Sequence, residues 1–487
     1  MHHFKKFFSQ NKKVTYLFLV LFLTMYSCKK KNNESQKQND VWSKMNDIVA
    51  NVTEPSFPDN NFNVLDYGAI SDGQTYNTEA FAKTIAACVE KGGGKVIVPA
   101  GKYLTGAIHL DSNINFHLEE GAEILFSVNP KDYYPLVATS YEGVELMNYS
   151  PLIYTYKKTN VAITGKGTLN GQASNENWWA WCGKETYGWT KGTPMQKDSL
   201  NLPRLMEMGD SGVSLKDRIF GENHYLRPNF IEFYESKNVL LKDVKIINSP
   251  FWIIHPFKSN NVIIDGVTVE SHGPNNDGCD PEYSKNVIIR NCTFNTGDDC
   301  IAIKAGRDGD GRRVGIKTEN IVVQNCEMLD GHGGVVIGSE MSAGVSNVFV
   351  ENCEMDSPNL DRAIRIKTNS RRGGTVDGVY VRNVNVGQVK EAVLKVNMHY
   401  ATYKNQTGNF IPKVQNILLE NVTVKNGGYF GILADGYQES PIENITFRNV
   451  KIEKVDEAFS LKHVSNLRLI DTYINGSLME SPIETKN

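Results

Sequence analysis

The sequence has little of what several common protein classes require. Between its β-type segments it has no helical stretch of ten or more residues, so ankyrin-like and tetratricopeptide-like arrays are excluded. It has no Cys-x-x-Cys or His-rich spacing, which argues against a metal site. The formal charge of −3 becomes −7 without the N-terminal lysines 5, 6, 12 and 13. A mildly acidic chain is not expected to bind nucleic acid.

Cysteine is also scarce, with eight residues in a chain of 487. Outside the N-terminal leader seven remain, and an odd number does not suit a disulfide scaffold. Cys292, Cys326 and Cys353 share one position of a repeat described below, where other copies carry Val. They are therefore expected to be small buried residues. The sequence does not decide whether Cys279 and Cys300 form a disulfide.

One long apolar run, Val14–Met25, follows basic residues and precedes Cys28. Residues 1–28 resemble a bacterial lipoprotein signal that is cleaved before a lipidated Cys28. Tyr26 is bulkier than the usual residue at its position, so an uncleaved anchor stays open. Residues 29–58 are predicted to be a flexible tether. Export to the cell envelope is expected, as an outer-membrane lipoprotein that meets the membrane only through its lipid.

The chain is rich in one short repeat, whose copies begin about 28 residues apart. Each copy reads Asn, an alternating apolar pair, then Asn, Asp or Gly, then a second alternating pair. Alternation predicts a half-buried strand, and the polar residue predicts a bend with left-handed backbone. The sequence therefore predicts an all-β, single-stranded right-handed parallel β-helix over residues 59–480, expected to be monomeric. The copies begin at Asn160, Asn238, Asn261, Asn286, Asn320, Asn347, Gly378, Asn416, Asn444 and Asn466.

One helix is predicted ahead of the repeats, over Asn77–Lys91. Gly92-Gly93-Gly94 ends it. Its expected role is to cap the open N-terminal end of the apolar core, as solenoids require. The expected apolar stripe consists of Thr78, Phe81, Ile85, Ala86 and Val89.

Four short polar motifs each follow their own copy of the repeat, twelve to twenty residues after its first residue. If the copies stack, the motifs bring three carboxylates, one imidazole and two cations to one face. That composition suits an active site for an anionic substrate. The motifs are Pro274-Asn275-Asn276-Asp277, Gly297-Asp298-Asp299-Cys300, Gly331-His332-Gly333 and Arg365-Ile366-Lys367.

The order of these motifs resembles glycoside hydrolase family 28, the polygalacturonases and their relatives, over roughly residues 60–475. The openings Val64-Leu65-Asp66-Tyr67-Gly68-Ala69 and Pro99-Ala100-Gly101 resemble the start of the same superfamily. Most members read Asn-Thr-Asp where this chain has Asn275-Asn276-Asp277. The resemblance implies a pectin-lyase-like solenoid that hydrolyses an acidic pectic polysaccharide without a cofactor.

The carboxylates suit acid–base hydrolysis of a glycosidic bond. By resemblance, Asp298 is the general acid, Asp277 and Asp299 hold and deprotonate the water, and His332 tunes their protonation. Three close carboxylates cannot all ionise cheaply, so one pKa is expected to rise. The implied outcome is inversion, with carboxyl groups about 6.5–9.5 Å apart or slightly less.

Two cations alternate around Ile366 and therefore point the same way. Arg365 offers a fork for a carboxylate and Lys367 offers a point charge, as a uronic acid requires. Asn275, Asn276 and Arg307 are further candidates for substrate contact. Other loop arginines are candidates for outer subsites, namely Arg312, Arg313, Arg371 and Arg372.

Residues 172–227 interrupt the repeat and hold Trp178, Trp179, Trp181 and Trp189. These tryptophans either stack on sugars or pack the insertion onto the scaffold. A long insertion that walls off the cleft favours cleavage from the chain end, so an exo-acting enzyme is expected.

Alternatives remain open on the sequence alone. A polysaccharide lyase on the same scaffold would eliminate rather than hydrolyse, although lyases lack the Asp298-Asp299 pair. An inert glycan-binding β-helix is the second alternative. Within the family, rhamnogalacturonan and xylogalacturonan are alternative substrates to homogalacturonan.

Overall fold

The computed structural model describes residues 41–400 and 407–481. The expected signal segment and Cys28 lie outside these residues, as does the tether as far as residue 40. The prediction of a flexible tether is wrong for residues 41–51, which form a helix and belong to a unit separate from Val52 onward. Within the described ranges, no helix has the length and apolar character needed to cross a membrane.

From residue 61 onward the chain winds into a stack of coils, whose strands form three faces. Strands of neighbouring coils pair in parallel, as in Val239 beside Val262 and Val262 beside Val287. This pairing confirms the right-handed parallel β-helix.

The strands of the first face are Asn61–Asn63, Gly94–Val98, Ile114–Leu118, Thr159–Gly165, Lys237–Lys242, Asn260–Asp265, Lys285–Arg290, Thr318–Gln324, Val345–Glu351, Val464–Ser465 and Arg468–Ile470. Those of the second face are Asp72–Tyr76, Gly101–Thr105, Ala122–Phe126, Thr168–Asn170, Lys245–Ile247, Thr268–Ser271, Thr293–Thr296, Glu327–Met328, Glu354–Asp356, Thr472–Ile474 and the antiparallel Ser477–Met479. Three longer strands run through both faces, namely Thr375–Gln388, Lys413–Asn426 and Ile442–Ile452.

The third face carries Ile108–His109, Ile153–Tyr156, Ile231–Tyr234, Ile254–Phe257, Ile301–Ile303, Val335–Ile337, Arg362–Lys367, Ala392–Asn397, Phe430–Asp435 and Glu457–Lys462. Cys279 and Glu282 bridge Ile254–Phe257 to the coil of Ile301–Ile303. The third face therefore runs without a break through the coils that carry the four motifs.

The recurring Asn has a structural cause. The Asn that opens each copy has left-handed backbone, with φ between 55° and 61°, which Asn tolerates better than most residues. From Asn238 to Asn347, each side-chain amide donates to Oδ1 of the Asn one coil before, at 3.0–3.2 Å. The bend inside the repeat is also left-handed, as at Asn291 and Asn325. Each Asn thus satisfies a backbone requirement and a hydrogen-bonded ladder.

The coil interior is apolar, and the three repeated cysteines lie in it. Cys292, Cys326 and Cys353 are buried in register with the valines of other coils, as predicted. Cys279 and Cys300 are also buried, and both carry free thiols, like every cysteine in the described residues. The interior is therefore closed by packing, with no disulfide among the described cysteines.

The predicted helix is confirmed as Thr78–Glu90. Phe81 and Ile85 are buried against the first coils, where the ring of Phe81 meets that of Phe116 at 5.9 Å. The predicted stripe is wrong at Ala86 and Val89, which face outward. Ala80, Thr84 and Cys88 are buried in their place, so the inward face lies about one residue away from the predicted stripe.

Two segments interrupt the coils near the candidate site. An antiparallel hairpin joins Val137–Tyr141 to Val144–Asn148. The 172–227 insertion contains the helix Leu202–Ser211, so the prediction of no ten-residue helix between the strands is wrong at this insertion. The insertion also contains the 3-10 turns Trp178–Cys182, Glu185–Tyr187 and Leu215–Asp217. Helix Asp308–Val314 follows the third-face strand Ile301–Ile303, and further 3-10 turns are Val64–Tyr67 and Pro130–Tyr133.

Candidate active site

The first three motifs stack at the turn between the second and third faces, and Arg365-Ile366-Lys367 ends the third-face strand Arg362–Lys367. The backbone N–H of Gly278 donates to the carbonyl of Asp299 at 3.0 Å, and that of His332 donates to the carbonyl of Asp298 at 3.0 Å. The backbone N–H of Cys300 donates to the carbonyl of Gly333 at 2.8 Å. Backbone hydrogen bonds between coils therefore place Asp277, Asp298, Asp299 and His332 in one patch, as the spacing predicted.

Two glycines make this stacking sterically feasible. A Cβ on Gly297 would lie 2.5 Å from the carbonyl oxygen of Gly273 in the previous coil. A Cβ on Gly331 would lie 2.8 Å from the carbonyl oxygen of Asp298. Both motif glycines are therefore required because the turns of successive coils approach too closely for any side chain.

The three carboxylates converge more closely than expected. One oxygen from each of Asp277, Asp298 and Asp299 lies within 4.8 Å of one oxygen from each of the others. This approach is below the range of about 6.5–9.5 Å that is typical of inverting pairs. Like charges at this distance repel strongly when buried, so the cluster is expected to hold a proton.

Within the trio, the pKa is raised at Asp277 and not at the predicted general acid. Burial and the negative charge of Asp298 raise the pKa of Asp277 to about 7. Burial also disfavours ionised Asp298, but the hydrogen bond and charge of His332 outweigh it and lower the pKa of Asp298. Nδ1 of His332 lies 3.0 Å from Oδ1 of Asp298, and this contact raises the pKa of His332. Burial and the charge of Asp277 also raise the pKa of the neighbouring Asp280. In the free protein protonation therefore favours Asp277 and Asp280 rather than the predicted acid Asp298.

Lys304 is a buried cation that sequence reasoning missed. Its Nζ donates to Asp277 at 3.2 Å and lies 3.5 Å from both Asp280 and Glu340. It also sits 4.4 Å above the ring of Trp252. Burial disfavours its charge, but Asp277 and the other carboxylates outweigh this cost and raise its pKa. The signal in the sequence was a lysine directly after the buried strand Ile301–Ile303.

Arg365 and Lys367 both line the pocket, and both also hold Asp299. Nζ of Lys367 donates to Oδ2 of Asp299 at 2.6 Å, and Nη1 of Arg365 donates to Oδ1 at 3.5 Å. The ring of Tyr400 lies 5.5 Å from the guanidinium carbon of Arg365. These cations therefore orient a catalytic carboxylate as well as facing the space where substrate would bind.

The other predicted contacts divide into two groups. Asn275 and Arg307 line the pocket, and Arg227 donates to Oδ1 of Asn275 at 2.8 Å. The prediction is wrong for Asn276, which is fully buried. Its Oδ1 accepts from Ser271 at 2.6 Å, and its amide donates to backbone carbonyls. Asn276 therefore shapes the turn that carries Asp277 and does not face the pocket.

The resulting pocket has a volume of about 510 Å³ and is lined by Asp277, Asp298 and the cations, whereas Asp299 is buried behind Lys367. Trp252 and Tyr400 add aromatic surface, which suits the apolar faces of a sugar ring. Asp277, Asp298 and His332 lie where third-face strands begin. Lys304 and Glu340 lie just after such strands end, so the pocket spans the width of this face.

Trp178, Trp179 and Trp181 pack onto the scaffold, whereas Trp189 donates to the carbonyl of Thr193 inside the insertion. None of the four lines this pocket. Trp178 is buried, and its ring meets that of Trp181 at 4.8 Å. Nε1 of Trp179 donates to the carbonyl of Ser249 at 2.8 Å. The insertion reaches the pocket through Lys184, and burial together with Asp298 raises the pKa of nearby Tyr187.

The carboxylate trio has the donor atoms of a cation site, but its surroundings do not suit one. Each carboxylate already faces a cationic partner in the protein. Lys304 contacts Asp277, His332 contacts Asp298, and Lys367 contacts Asp299. A divalent ion would meet these charges at close range, so the trio is better suited to sharing a proton.

The site combines a clustered trio of carboxylates that retains a proton with cations and aromatic rings beside it. These are the groups that a glycoside hydrolase requires. Residues 216–470 match Glycosyl hydrolases family 28, and the chain belongs to that family.

Relatives agree with this assignment. The chain is 29% identical over 408 residues to a probable polygalacturonase of Vitis vinifera, and this match covers 81% of this chain and 74% of the relative. It is 28% identical over 450 residues to an exo-poly-alpha-D-galacturonosidase of Dickeya chrysanthemi, covering 83% and 71%. Among solved structures, a hyperthermoactive exopolygalacturonase from Thermotoga maritima is 42% identical with a TM-score of 0.87. That match covers 91% of this chain and 98% of the other.

Proposed function

We propose that this protein hydrolyses α-1,4-galacturonosidic bonds in pectic polysaccharide and releases galacturonate from the non-reducing chain end. The observation that carries the proposal is one pocket lined by Asp277, Asp298 and the Arg365–Lys367 pair, with Asp299 buried behind the two cations. The names of the relatives from Dickeya chrysanthemi and Thermotoga maritima support both the substrate and the exo mode.

Asp298 is the general acid. Its side chain is 21% exposed, compared with 5% for Asp277 and 0% for Asp299, so a leaving-group oxygen can reach it most easily. The carboxylates of Asp277 and Asp298 form a coupled pair, so the proton that rests on Asp277 belongs to the pair. When substrate displaces solvent, this proton moves from Asp277 to Asp298. Asp298 is then protonated and Asp277 is ionised, and the pair still holds one proton.

Asp277 and Asp299 then hold and deprotonate the attacking water. Lys367 and Arg365 fix Asp299 on one side, and Lys304 fixes Asp277 on the other. Both carboxylates are hydrogen-bonded and buried, which suits them to orient a water rather than to move onto the sugar carbon as a nucleophile. The proposal is therefore a single displacement with inversion. The short spacing of the carboxylates alone would favour retention, so the stereochemical outcome is a direct test.

The substrate carboxylate is bound by Arg365 and Lys367. Arg365 presents a fork, and Lys367 keeps its charge because Asp299 outweighs the burial that would lower its pKa. Tyr400 stands beside both cations, at 5.5 and 5.6 Å, and offers a face for the sugar ring. Asp299 balances only one of the two positive charges, so the pair favours an acidic unit over a neutral sugar.

The test is a product profile on homogalacturonan, rhamnogalacturonan and xylogalacturonan by anion-exchange chromatography. The proposal predicts that homogalacturonan is degraded fastest and that monogalacturonate is the first product. Faster release of sugar from rhamnogalacturonan or xylogalacturonan would show that this polymer is the substrate instead of homogalacturonan. The proposed acid–base chemistry would be unchanged. A fall in viscosity by half while only a few per cent of the bonds are cut would contradict the exo mode.

Export as an outer-membrane lipoprotein, acting as a monomer, belongs to the same proposal and rests on the leader sequence. Lipidation at Cys28 predicts that the full-length protein fractionates with membranes. A Cys28→Ala variant is expected to lose that association. Equal membrane association of the variant would instead indicate the uncleaved anchor.

A further inference from the structure

Asp280 is a buried carboxyl beside the catalytic trio, and the proposed chemistry does not use it. It follows Cys279, which bridges the third-face strands Ile254–Phe257 and Ile301–Ile303. Its backbone N–H donates to the carbonyl of Ile254 at 2.8 Å, which fixes the residue in the stack of coils. Asp280 has a relative exposure of 0% and does not line the catalytic pocket. It can therefore influence the reaction only through another residue.

Two contacts join the Asp280 carboxyl to Asp277. The side chains of these two residues lie in hydrogen-bonding contact. Nζ of Lys304 lies 3.5 Å from Oδ1 of Asp280 and 3.2 Å from Oδ2 of Asp277, so one ammonium group bridges both carboxyls. Asp277 lines the pocket and is proposed to hold the attacking water. Asp280 is thus one contact removed from the reacting atoms.

The Asp280 carboxyl lacks the hydrogen bonds that a buried carboxylate requires. Within the described ranges, no N–H or O–H group donates to either of its oxygens. His255 occupies the neighbouring position one coil before, but its nitrogens contact Glu232 at 3.4 Å and Glu282 at 3.1 Å. A buried charge without such donors is strongly disfavoured. A protonated Asp280 has a donor of its own, and Asp277 provides the acceptor.

The charges around Asp280 also favour its neutral form. Burial and the charge of Asp277 outweigh Lys304 and raise the pKa of Asp280. Of the two carboxyls, Asp277 receives the hydrogen bond from Lys304 and faces the pocket, so it ionises first and Asp280 keeps its proton. The titratable groups on the elements packed around Asp280 are Asp277, Asp299, Lys304, Glu340, His255 and Glu282.

We infer that Asp280 is a positioning residue that stays protonated and donates a hydrogen bond to Asp277 during catalysis. The proposed mechanism moves a proton from Asp277 to Asp298 and leaves Asp277 ionised inside the protein. A neutral donor behind Asp277 stabilises that charge and orients the carboxylate toward the water. The proton of Asp280 is shared and not transferred, so the catalytic pair still holds one proton. The inference rests on the proposed function, because it assigns Asp280 a task in that displacement.

The test compares two substitutions at Asp280. Asp280→Asn keeps the shape and a hydrogen-bond donor but carries no charge, whereas Asp280→Ala removes the donor. Asp265→Ala is the matched control, because Asp265 is a buried carboxylate on the first face that pairs with Arg290 at 2.8 Å and does not line the pocket. The values of kcat and KM on polygalacturonate are measured across the pH range, and melting temperatures verify that each variant is folded.

Asp280→Ala is expected to lower kcat about tenfold or more, the loss typical of one hydrogen bond to a charged group. KM should stay close to that of the wild type, because Asp280 does not touch the substrate. Without the donor, Asp277 favours its protonated form, so the basic limb of kcat/KM should move to higher pH. Asp280→Asn should restore most of the lost kcat and the basic limb of the wild type. Asp265→Ala should leave both unchanged.

Two results for a folded Asp280→Asn variant would overturn the inference, and they decide it even if Asp280→Ala does not fold. A loss of kcat as large as that in Asp280→Ala would show that the carboxylate charge is required. A basic limb lowered by about one pH unit or more would show that a negative charge was removed beside Asp277. Wild-type kcat in Asp280→Ala would also overturn it.

These outcomes leave the proposed function standing as long as the wild type releases galacturonate from polygalacturonate. If the wild type leaves polygalacturonate intact, the proposed function fails and the role of Asp280 fails with it.

Discussion

Lys304→Met is predicted to move the pH dependence of catalysis, because Lys304 is the cation nearest to Asp277. Hydrolysis requires the coupled pair of Asp277 and Asp298 to retain one proton. The proton on Asp277 leaves with a pKa of about 7, so activity should fall as the pH rises above about 7. Removing a positive charge beside Asp277 favours its protonated form, so this basic limb should shift to higher pH.

The size of the shift follows from the 3.2 Å contact between Lys304 and Asp277. Coulomb's law with an effective dielectric constant of about 20 gives about 5 kcal/mol for unit charges at this distance. Lys304 is shared with Asp280 and Glu340, and water can enter the space left by the variant, so this energy is an upper limit. A rise of at least about one pKa unit, or about 1.4 kcal/mol, is expected.

The assay is kcat/KM for release of reducing ends from polygalacturonate across the pH range. Lys304→Arg keeps the charge and should keep the basic limb close to that of the wild type. Lys285→Met is a surface control, because Lys285 forms a largely exposed pair with Glu319 on the first face. A folded Lys304→Met variant whose basic limb coincides with that of the wild type would refute the electrostatic coupling.

Three further predictions address other parts of the site. Asp298→Asn should lower kcat by ~10²–10⁴ with an unchanged melting temperature, and activity above a tenth of wild type would exclude it as the acid. Arg365→Lys keeps the charge but loses the fork, so KM for oligogalacturonides should rise roughly tenfold or more, and an unchanged KM would remove Arg365 from substrate binding. The raised pKa of Asp277 means that the folded state holds a proton the unfolded state releases above about pH 4. Stability should therefore be lost as the pH rises from about 4 through 7, and a melting temperature that rises across this window would contradict the buried proton.

The repeat made much of this architecture predictable. Regular spacing placed Asp277, Asp298, Asp299 and His332 on successive coils, because a solenoid converts sequence period into spatial neighbours. The recurring Asn marked the left-handed bends because it returns at the same position of successive coils. These features are local, so a single sequence is enough to reveal them.

The partners of the catalytic groups were not predictable, because they come from outside the repeat. Glu142 meets Arg307 across 165 residues of sequence, and no periodicity relates the two. Asn276 was misassigned because a motif residue can serve the turn rather than the substrate. The location of the proton likewise depends on burial and on His332, which only the three-dimensional arrangement shows.

The proposed hydrolysis is a single displacement by water held between Asp277 and Asp299. Its stereochemistry can be followed by proton NMR of the first sugar released from an α-linked oligogalacturonide, recorded before the anomers equilibrate. Because a single displacement inverts the anomeric carbon, the β-anomer of galacturonate should appear first. Initial appearance of the α-anomer would show retention and would make one of the closely spaced carboxylates a nucleophile.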